Sequence, residues 1–253
     1  MAGLQDKVVL LTGASRGIGA ATARLMAEDT PTLILCARTA EANAETKAAV
    51  EAIGASAESH GFDVSDADAA KALVDDVLAR HGRIDVLINN AGSGKMGSVA
   101  DVPPEDYLAV QRVNIMGPYN MIYAALPSML ERDAGTIINL TSARAFIPDR
   151  FYAAYCSSKA ALLSMTQCLH FDVQDTNVKI FAFSPGFTQT DMVREIYASK
   201  VFRQAALTAD EGQPPERPAK VLTWLAREAP DDLAGQHVQV QFNDISRRAG
   251  LEG

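Results

Sequence analysis

Tyr155 and Lys159 stand four residues apart, thirteen residues after Ser142. On a helix they share one face, so their polar ends can meet. A phenol ionises near pH ~10 and is a poor acid or base at neutral pH without a cation beside it. The Lys159 ammonium is such a cation, and Ser142 can hold a carbonyl or hydroxyl oxygen against the phenol. The trio therefore suits proton transfer to and from a reacting oxygen. Tyr-x-x-x-Lys alone is weak, because long helices produce the pair by chance. Its weight comes from the elements that position it.

The first of these is a glycine-rich turn. A short apolar run, Lys7-Val-Val-Leu-Leu11, leads into Thr12-Gly13-Ala14-Ser15-Arg16-Gly17-Ile18-Gly19 and then an alanine-rich helical stretch. Glycines at a strand-to-helix junction permit a tight turn and close approach of backbone to a pyrophosphate. The helix N-terminus then presents free N–H groups and the positive end of its dipole to the phosphates. The spacing is Gly-x-x-x-Gly-x-Gly, not the general Gly-x-Gly-x-x-Gly. A functionless loop is the alternative, and the flanking strand and helix speak against it.

Apolar runs at 8–11, 32–36, 56–62, 84–89, 136–141, 179–184 and 237–241 read as buried strands. Helical segments near 17–28, 40–53, 66–81, 104–131 and 153–173 lie between them. Strands without alternation, joined by helices, imply an α/β fold with a doubly wound parallel sheet of about seven strands, Rossmann-like, covered on both faces. Ligands then bind at the C-terminal edge of the strands, where the motifs fall. The whole chain, 1–253, reads as one domain, with a substrate lid near 187–215 and a Pro-rich surface loop at 212–218.

The ordered set Thr12 to Gly19, Asp63-Val64, Asn89-Asn90-Ala91-Gly92, Asn114, Ser142, Tyr155-x-x-x-Lys159 and Pro185-Gly186 resembles the short-chain dehydrogenase/reductase family along nearly the whole chain. The resemblance implies a catalytic tetrad of Asn114, Ser142, Tyr155 and Lys159. It further implies that Gly13, Ser15, Arg16, Gly17, Ile18, Gly19, Arg38, Asp63, Val64, Asn90, Ala91, Gly92, Pro185, Gly186, Thr188 and Thr190 hold a nicotinamide dinucleotide, with Tyr155 and Lys159 on its ribose. Tyr155 would exchange a proton with the carbonyl or alcohol oxygen, and Lys159 would lower the phenol pKa.

Several of these assignments have a second reading. Asp63 could instead cap the next helix, although Ser65 and Asp66 suit that better. Asn90 could tie strand ends together as readily as touch a cofactor. Pro118 lacks an N–H and crowds the carbonyl four residues back, that of Asn114, so the long helix should kink there. In the family a water on that carbonyl continues the proton path from the lysine; a simple packing kink is the other possibility.

The segment after the second strand, Leu35-Cys36-Ala37-Arg38-Thr39, lacks the carboxylate that selects NAD. Arg38, with Arg16 as a second cation, favours a 2′-phosphate and hence NADP(H) over NAD(H). Either arginine could also be an ordinary surface charge.

Lys plus Arg number 23 against 31 Asp plus Glu, a net charge of −8, which argues against nucleic acid or an anionic membrane as partner. Three cysteines, Cys36, Cys156 and Cys168, fit a reducing compartment, with Cys156 a packing residue rather than a redox group. His60, His81, His170 and His237 lack metal-ligand spacing, so no metal site is expected. No signal peptide or run of ~20 apolar residues is visible, and the expected location is cytoplasmic.

Substrate walls are expected from residues 93–98, 143–147 and the lid. Met96, Phe146, Ile147, Met192, Val193, Ile196, Tyr197, Val201 and Phe202 would give them an apolar surface, which suits an apolar carbonyl or alcohol, unless the stripe is ordinary core. Arg144 could bind an acidic substrate group or form a surface salt bridge. A 3-oxoacyl-carrier-protein reductase is an alternative, opposed by the helix after Lys159, which offers His170, Asp172 and Asp175 where a basic docking face is needed. A sensor or scaffold that binds NADP(H) without turnover is another, opposed by the intact tetrad; a sugar-nucleotide epimerase would need a larger C-terminal domain. A homodimer or homotetramer is expected. Two departures from the family stand out: Phe181 where many relatives carry Asn, and residues 240–248 in place of an Asp-Gly-Gly ending, which puts the usual tetramer contacts in doubt.

Overall fold

The strands of highest β-branched and leucine content are also the most enclosed: every residue of Val8–Thr12 and Val86–Asn89 is buried. They form the middle of a parallel sheet in a computed structural model that describes residues 3–198 and 211–251. In chain order the strands are β1 Val8–Thr12, β2 Thr32–Ala37, β3 Ser56–Gly61, β4 Val86–Asn89, β5 Gly135–Leu140, β6 Val178–Ser184 and β7 His237–Gln239. Their spatial order is β3-β2-β1-β4-β5-β6-β7. Each neighbouring pair is parallel, with Val9 opposite both Leu33 and Val86. The third strand is less apolar than expected: Ser-Ala-Glu-Ser-His-Gly is half-exposed, as befits an edge.

Helices cover both faces: α1 Gly17–Met26, α2 Ala44–Ala52, α3 Ala67–His81, α4 Pro104–Gln111, α5 Gly117–Glu131, α6 Ala153–Asp172, α7 Asp191–Ala198, α8 Glu216–Glu228 and α9 Asn243–Arg248. Alternate residues of one strand serve opposite cores. Val9 and Leu11 pack with Phe181, Phe183, Leu222 and Leu225 on the α1–α8 side. Val8 and Leu10 pack with Ile137, Ile180, Val74 and Met121 on the α3–α5–α6 side. Each fully buried side chain of this size contributes roughly 1.5–3 kcal/mol, so neither face can be left open. The chain leaves β1 toward β2 and β3 in one direction and β4 to β7 in the other. That reversal opens a crevice at the C-terminal ends of β1 and β4.

One sequence expectation needs correction. The expected surface loop at 212–218 gives way to α8 from Glu216, with Pro218 buried in its first turn. Proline is tolerated there because the first-turn N–H groups lack intrahelical acceptors anyway. The break expected at Asn114 within 104–131 takes the form of a π-helical turn, Arg112–Met116, just before Pro118. Proline offers no N–H to the Asn114 carbonyl, so the regular ladder cannot continue through it.

Candidate active site

The glycine turn closes on itself and on the end of β4. A Cβ on Gly13 would lie 2.9 Å from the Cα of Ala91, and one on Gly19 only 2.1 Å from the carbonyl oxygen of Gly13. Gly13 and Gly17 also adopt positive φ, +67° and +56°. Asn90 locks this packing: its Nδ2 donates to the carbonyls of Thr12 and Gly13, both at 2.9 Å. Backbone N–H groups of Asn90 and Ala91 donate to Thr12 Oγ1. Of the two readings of Asn90, the strand tie is the one its side chain realises here. Asn89 makes a second tie, to Asn139 Oδ1 at 2.8 Å, and Asn139 passes it on to Thr166.

The start of α1 differs from that of α3. Asp66 caps α3, its Oδ1 accepting from the N–H groups of Asp68 and Ala69. Arg16, at the cap of α1, provides no side-chain acceptor, and among the described residues nothing accepts from Gly17, Ile18 or Gly19. Three N–H groups at the positive end of a helix dipole, on a turn with no Cβ at Gly17 or Gly19, fit a dinucleotide pyrophosphate.

Arg38 follows the end of β2, exposed and without an ion-pair partner among the described residues. Arg16 is paired, its Nη1 3.1 Å from Asp191 Oδ2. Asp63 does not cap α3; its Oδ1 accepts from the N–H and hydroxyl of Ser65 at 2.8 Å. Val64 is clamped to α5: Asn120 Nδ2 donates to its carbonyl at 3.1 Å, and a Cβ on Gly117 would meet its Cγ2 at 2.7 Å. The start of α5 and the Asp63–Val64 loop are thus packed together.

Asn114 sits inside that turn, fully buried. Its Oδ1 accepts from Ser93 N–H at 2.8 Å, and its Nδ2 donates to Ser93 C=O and Ser158 Oγ, both at 2.9 Å. It joins the loop after β4 to the helix that carries Tyr155 and Lys159. A Cβ on Gly92 would lie 3.4 Å from Asn114 Oδ1 and 3.8 Å from Lys159 Nζ, so both groups face the same glycine.

Lys159 is 5% exposed and donates from Nζ to the Leu140 carbonyl at 2.7 Å. Desolvation pushes its pKa down to about 8. The ammonium lies 5.7 Å from the Tyr155 ring centre. Ser142, just beyond β5, accepts from Arg144 N–H at 3.2 Å, and its hydroxyl is near enough to the Tyr155 phenol to lower its pKa. In the protein alone burial drives the Tyr155 phenol pKa up, and Ser142 and the Arg144 charge offset this only in part. The Lys159 ammonium, itself desolvated and bonded to a backbone carbonyl, is not among the charges that lower it.

Beyond β6, Thr188 is buried, its hydroxyl directed at the Pro185 and Gly186 carbonyls, and Gln213 Nε2 donates to Pro185 C=O at 2.5 Å. Thr190 caps α7, Oγ1 accepting from Val193 N–H at 3.3 Å. A Cβ on Gly17 would lie 3.3 Å from Thr190 Cγ2, so this segment reaches the glycine turn. Of the expected lid residues, Met192 and Val193 are on α7. The side chains of Ile196 and Tyr197, and Val201 and Phe202 altogether, lie outside the described residues.

Phe146 and Ile147 are more than half exposed, at 56% and 63%, and stand beside the tetrad as open apolar surface. Arg144 forms a salt bridge to Asp149 at 2.9 Å and covers the Tyr152 ring. Tyr152 in turn meets Tyr155 edge-on, 6.5 Å between centres. Sequence reasoning missed His237. Its Nε2 lies 2.9 Å from Thr141 Oγ1, one residue before Ser142, and its ring packs 4.8 Å from Phe146. Nothing in the local sequence of β7 signals a contact across 96 residues.

Among the described residues no cluster of His, Cys, Asp or Glu could hold a metal ion, and no helix is long and apolar enough to cross a membrane.

Comparison with known proteins agrees with this geometry. Residues 7–200 match the family model described as short chain dehydrogenase. A 3-oxoacyl-[acyl-carrier-protein] reductase of Thermotoga maritima is 30% identical over 240 residues, covering 94% of this chain and 97% of its own. Among solved structures, a metagenomic short-chain oxidoreductase in complex with NADP is 32% identical, with a TM-score of 0.78, covering 93% of this chain and 97% of its own. An NAD+-bound xylitol dehydrogenase is 27% identical, with a TM-score of 0.83, covering 93% and 98%. The two structures carry different dinucleotides on one fold. With the glycine turn, the tetrad positions and the sheet order all in place, the chain belongs to the short-chain dehydrogenase/reductase family.

Proposed function

We propose that the protein is an NADP(H)-dependent oxidoreductase that interconverts an apolar carbonyl compound and its secondary alcohol. The observation that carries this reading is a chain of neighbours: Asn114 and Lys159 face Gly92, the Lys159 ammonium lies 5.7 Å from the Tyr155 ring centre, and Ser142 acts on the Tyr155 phenol. A bound nicotinamide dinucleotide supplies or accepts the hydride. The N–H groups of Gly17, Ile18 and Gly19 hold its pyrophosphate, with Gly13 and Ser15 shaping the turn. Asp63 and Val64 flank the adenine, Ala91 and Gly92 let backbone pass close by, and the backbone of Thr188 with Pro185, Gly186 and Thr190 orients the carboxamide.

Ser142 holds the reacting oxygen against Tyr155, which donates a proton to it in reduction and removes one in oxidation. Lys159 stabilises the phenolate and would also hold the ribose of a bound dinucleotide, and Asn114 ties the Ser93 loop to α6, the helix that carries Tyr155 and Lys159. Arg38 and Arg16 favour the 2′-phosphate of NADP(H), since no carboxylate ends β2. The open apolar surface of Phe146 and Ile147, together with a lid spanning about 187–215, suits an apolar substrate. The single-domain reading of 1–253 and a cytoplasmic location accompany this function.

Exposed aromatic and apolar side chains on the π-helical turn, α5 and α6, Met116, Tyr119, Tyr123 and Phe171, support a homodimer or homotetramer. The C-terminal segment is engaged within its own chain: Ile245 and Leu251 join the core, and Ser246 Oγ donates to Val240 C=O at 2.7 Å.

The test is the initial rate of NADPH and NADH oxidation across a panel of ketones, aldehydes and diketones, for the wild type and Tyr155→Phe. NADPH-dependent turnover that falls by about 10²–10⁴-fold in the variant supports the reading. Turnover unchanged by Tyr155→Phe defeats it. The Thermotoga relative's activity motivates a second reading, reduction of carrier-bound 3-oxoacyl chains. Faster rates on those chains than on free ketones would replace the first reading with the second.

A further inference from the structure

The first turn of α7 is fastened to the phosphate-binding turn at two points. Thr190 Cγ2 leans over Gly17, and Asp191 Oδ2 takes Arg16 Nη1 at 3.1 Å, across 175 residues of sequence. Both partners of the ion pair are about half exposed, 52% and 45%. Such a pair is weak and readily exchanged for a stronger partner. Asp191 would not be stranded by losing Arg16: it lies in the first turn of α7, where the helix dipole favours an anion, and Arg194 Nη1 stands 3.6 Å from its other oxygen.

The Asp191 carboxylate therefore holds Arg16 where, on the reading above, the phosphates of the dinucleotide would also draw it. A ribose 2′-phosphate carries nearly two negative charges and more acceptor oxygens than a carboxylate, and draws a guanidinium more strongly. The same carboxylate repels any phosphate brought to the turn. We infer that Asp191 is a specificity-determining residue for the dinucleotide. It competes with the 2′-phosphate for Arg16, so that NADP(H) binds only by breaking the Arg16–Asp191 pair and freeing the start of α7. The inference rests on the NADP(H) reading.

The experiment is a fluorescence titration of the full chain with NADPH and, separately, NADH, without substrate. The proteins compared are the wild type, Asp191→Asn, Asp191→Glu, Arg16→Gln and Arg16→Gln/Asp191→Asn. Asp191→Asn should tighten NADPH about two- to fivefold and NADH less, and Asp191→Glu, which keeps the charge, should stay near the wild type. In the Arg16→Gln background, Asp191→Asn should no longer change the NADPH-to-NADH ratio. An NADPH affinity that is unchanged or weaker in Asp191→Asn, or an equal gain for both dinucleotides, overturns the inference while the NADP(H) reading stands. A ratio change that persists without Arg16 overturns it as well. A wild type that prefers NADH overturns the NADP(H) reading, and this inference with it.

Discussion

The two edges of the sheet both carry buried or half-buried charge, and they treat it in opposite ways. At the edge where the strands begin, Asp85 is a closed hub. Its carboxylate accepts from Val8 N–H at 2.9 Å and faces Arg83 Nε at 3.0 Å, Arg132 Nη1 at 3.4 Å and Lys7 Nζ at 3.9 Å. Asp29 is closed likewise, accepting from Leu4 N–H and from both Nε and Nη2 of Arg227. At the edge where the strands end, Lys159 has one backbone carbonyl for a partner, α1 begins uncapped, and Arg38 has no ion-pair partner among the described residues. Satisfied charge holds a fold together; charge left partly satisfied is held ready for something the chain does not itself supply.

Lys159→Met should break this contrast most visibly. Turnover should fall by about 10²–10⁴-fold, while the thermal midpoint without added coenzyme should rise, because a desolvated cation has been replaced by an apolar side chain. Steady-state rates and thermal melts read the two effects separately, and a lower midpoint would show that the Leu140 contact stabilises more than burial costs.

Asp85→Ala is its mirror image at the closed edge. It strands the Val8 N–H and leaves Arg83, Arg132 and Lys7 facing one another. We expect a loss of about 2–4 kcal/mol in urea unfolding, with the activity of the folded fraction unchanged.

Arg38→Asp should cost less than about 0.5 kcal/mol of stability. It should shift the NADPH-to-NADH affinity ratio by about tenfold or more toward NADH. A ratio that does not move would make Arg38 an ordinary surface charge.

The smallest effect sharpens the comparison through pH. Desolvation brings the His237 pKa down to about 4, with Nδ1 buried and unpartnered among the described residues. The unfolded chain takes up this proton first, near pH ~6.5. His237 therefore costs stability as the pH falls from about 6.5 to about 4 and costs no more below that. Glu58 acts lower. Burial works to raise its pKa, but hydrogen bonds from Arg80, His81 and His60 hold it down to about 2, so its stabilisation is lost only between about 4.5 and 2. Urea unfolding from pH 7 to 4 should show a shallower decline for His237→Gln than for the wild type.

Much of the fold is written in local pattern. Strands β1, β2, β4, β5 and β6 are apolar runs of strand length, and the helices between them announce themselves by composition. Helix α8 was less legible because Pro214, Pro215 and Pro218 mask its start, although Val221, Leu222 and Leu225 carry the period that buries it. The edge strand β3 reads in sequence as a buried apolar run, whereas its Ser-Ala-Glu-Ser-His-Gly is half-exposed, because burial at an edge depends on what packs beside it. Pro118 announced the break at Asn114, but that the break is a π-helical turn, and that Asn114 clamps Ser93 to Ser158, depends on helices meeting in space.

The sequence by itself determined the order of the motifs, the family, and which chemical groups stand at the strand ends, because these depend on residue type and short spacing. Tertiary structure alone decided the protonation bias of Tyr155 and Lys159, the joining of His237 to Thr141, and the seating of Asp191 on Arg16. Desolvation and long-range pairing are properties of packed neighbours, and neighbours 96 or 175 residues apart leave no local trace in the chain.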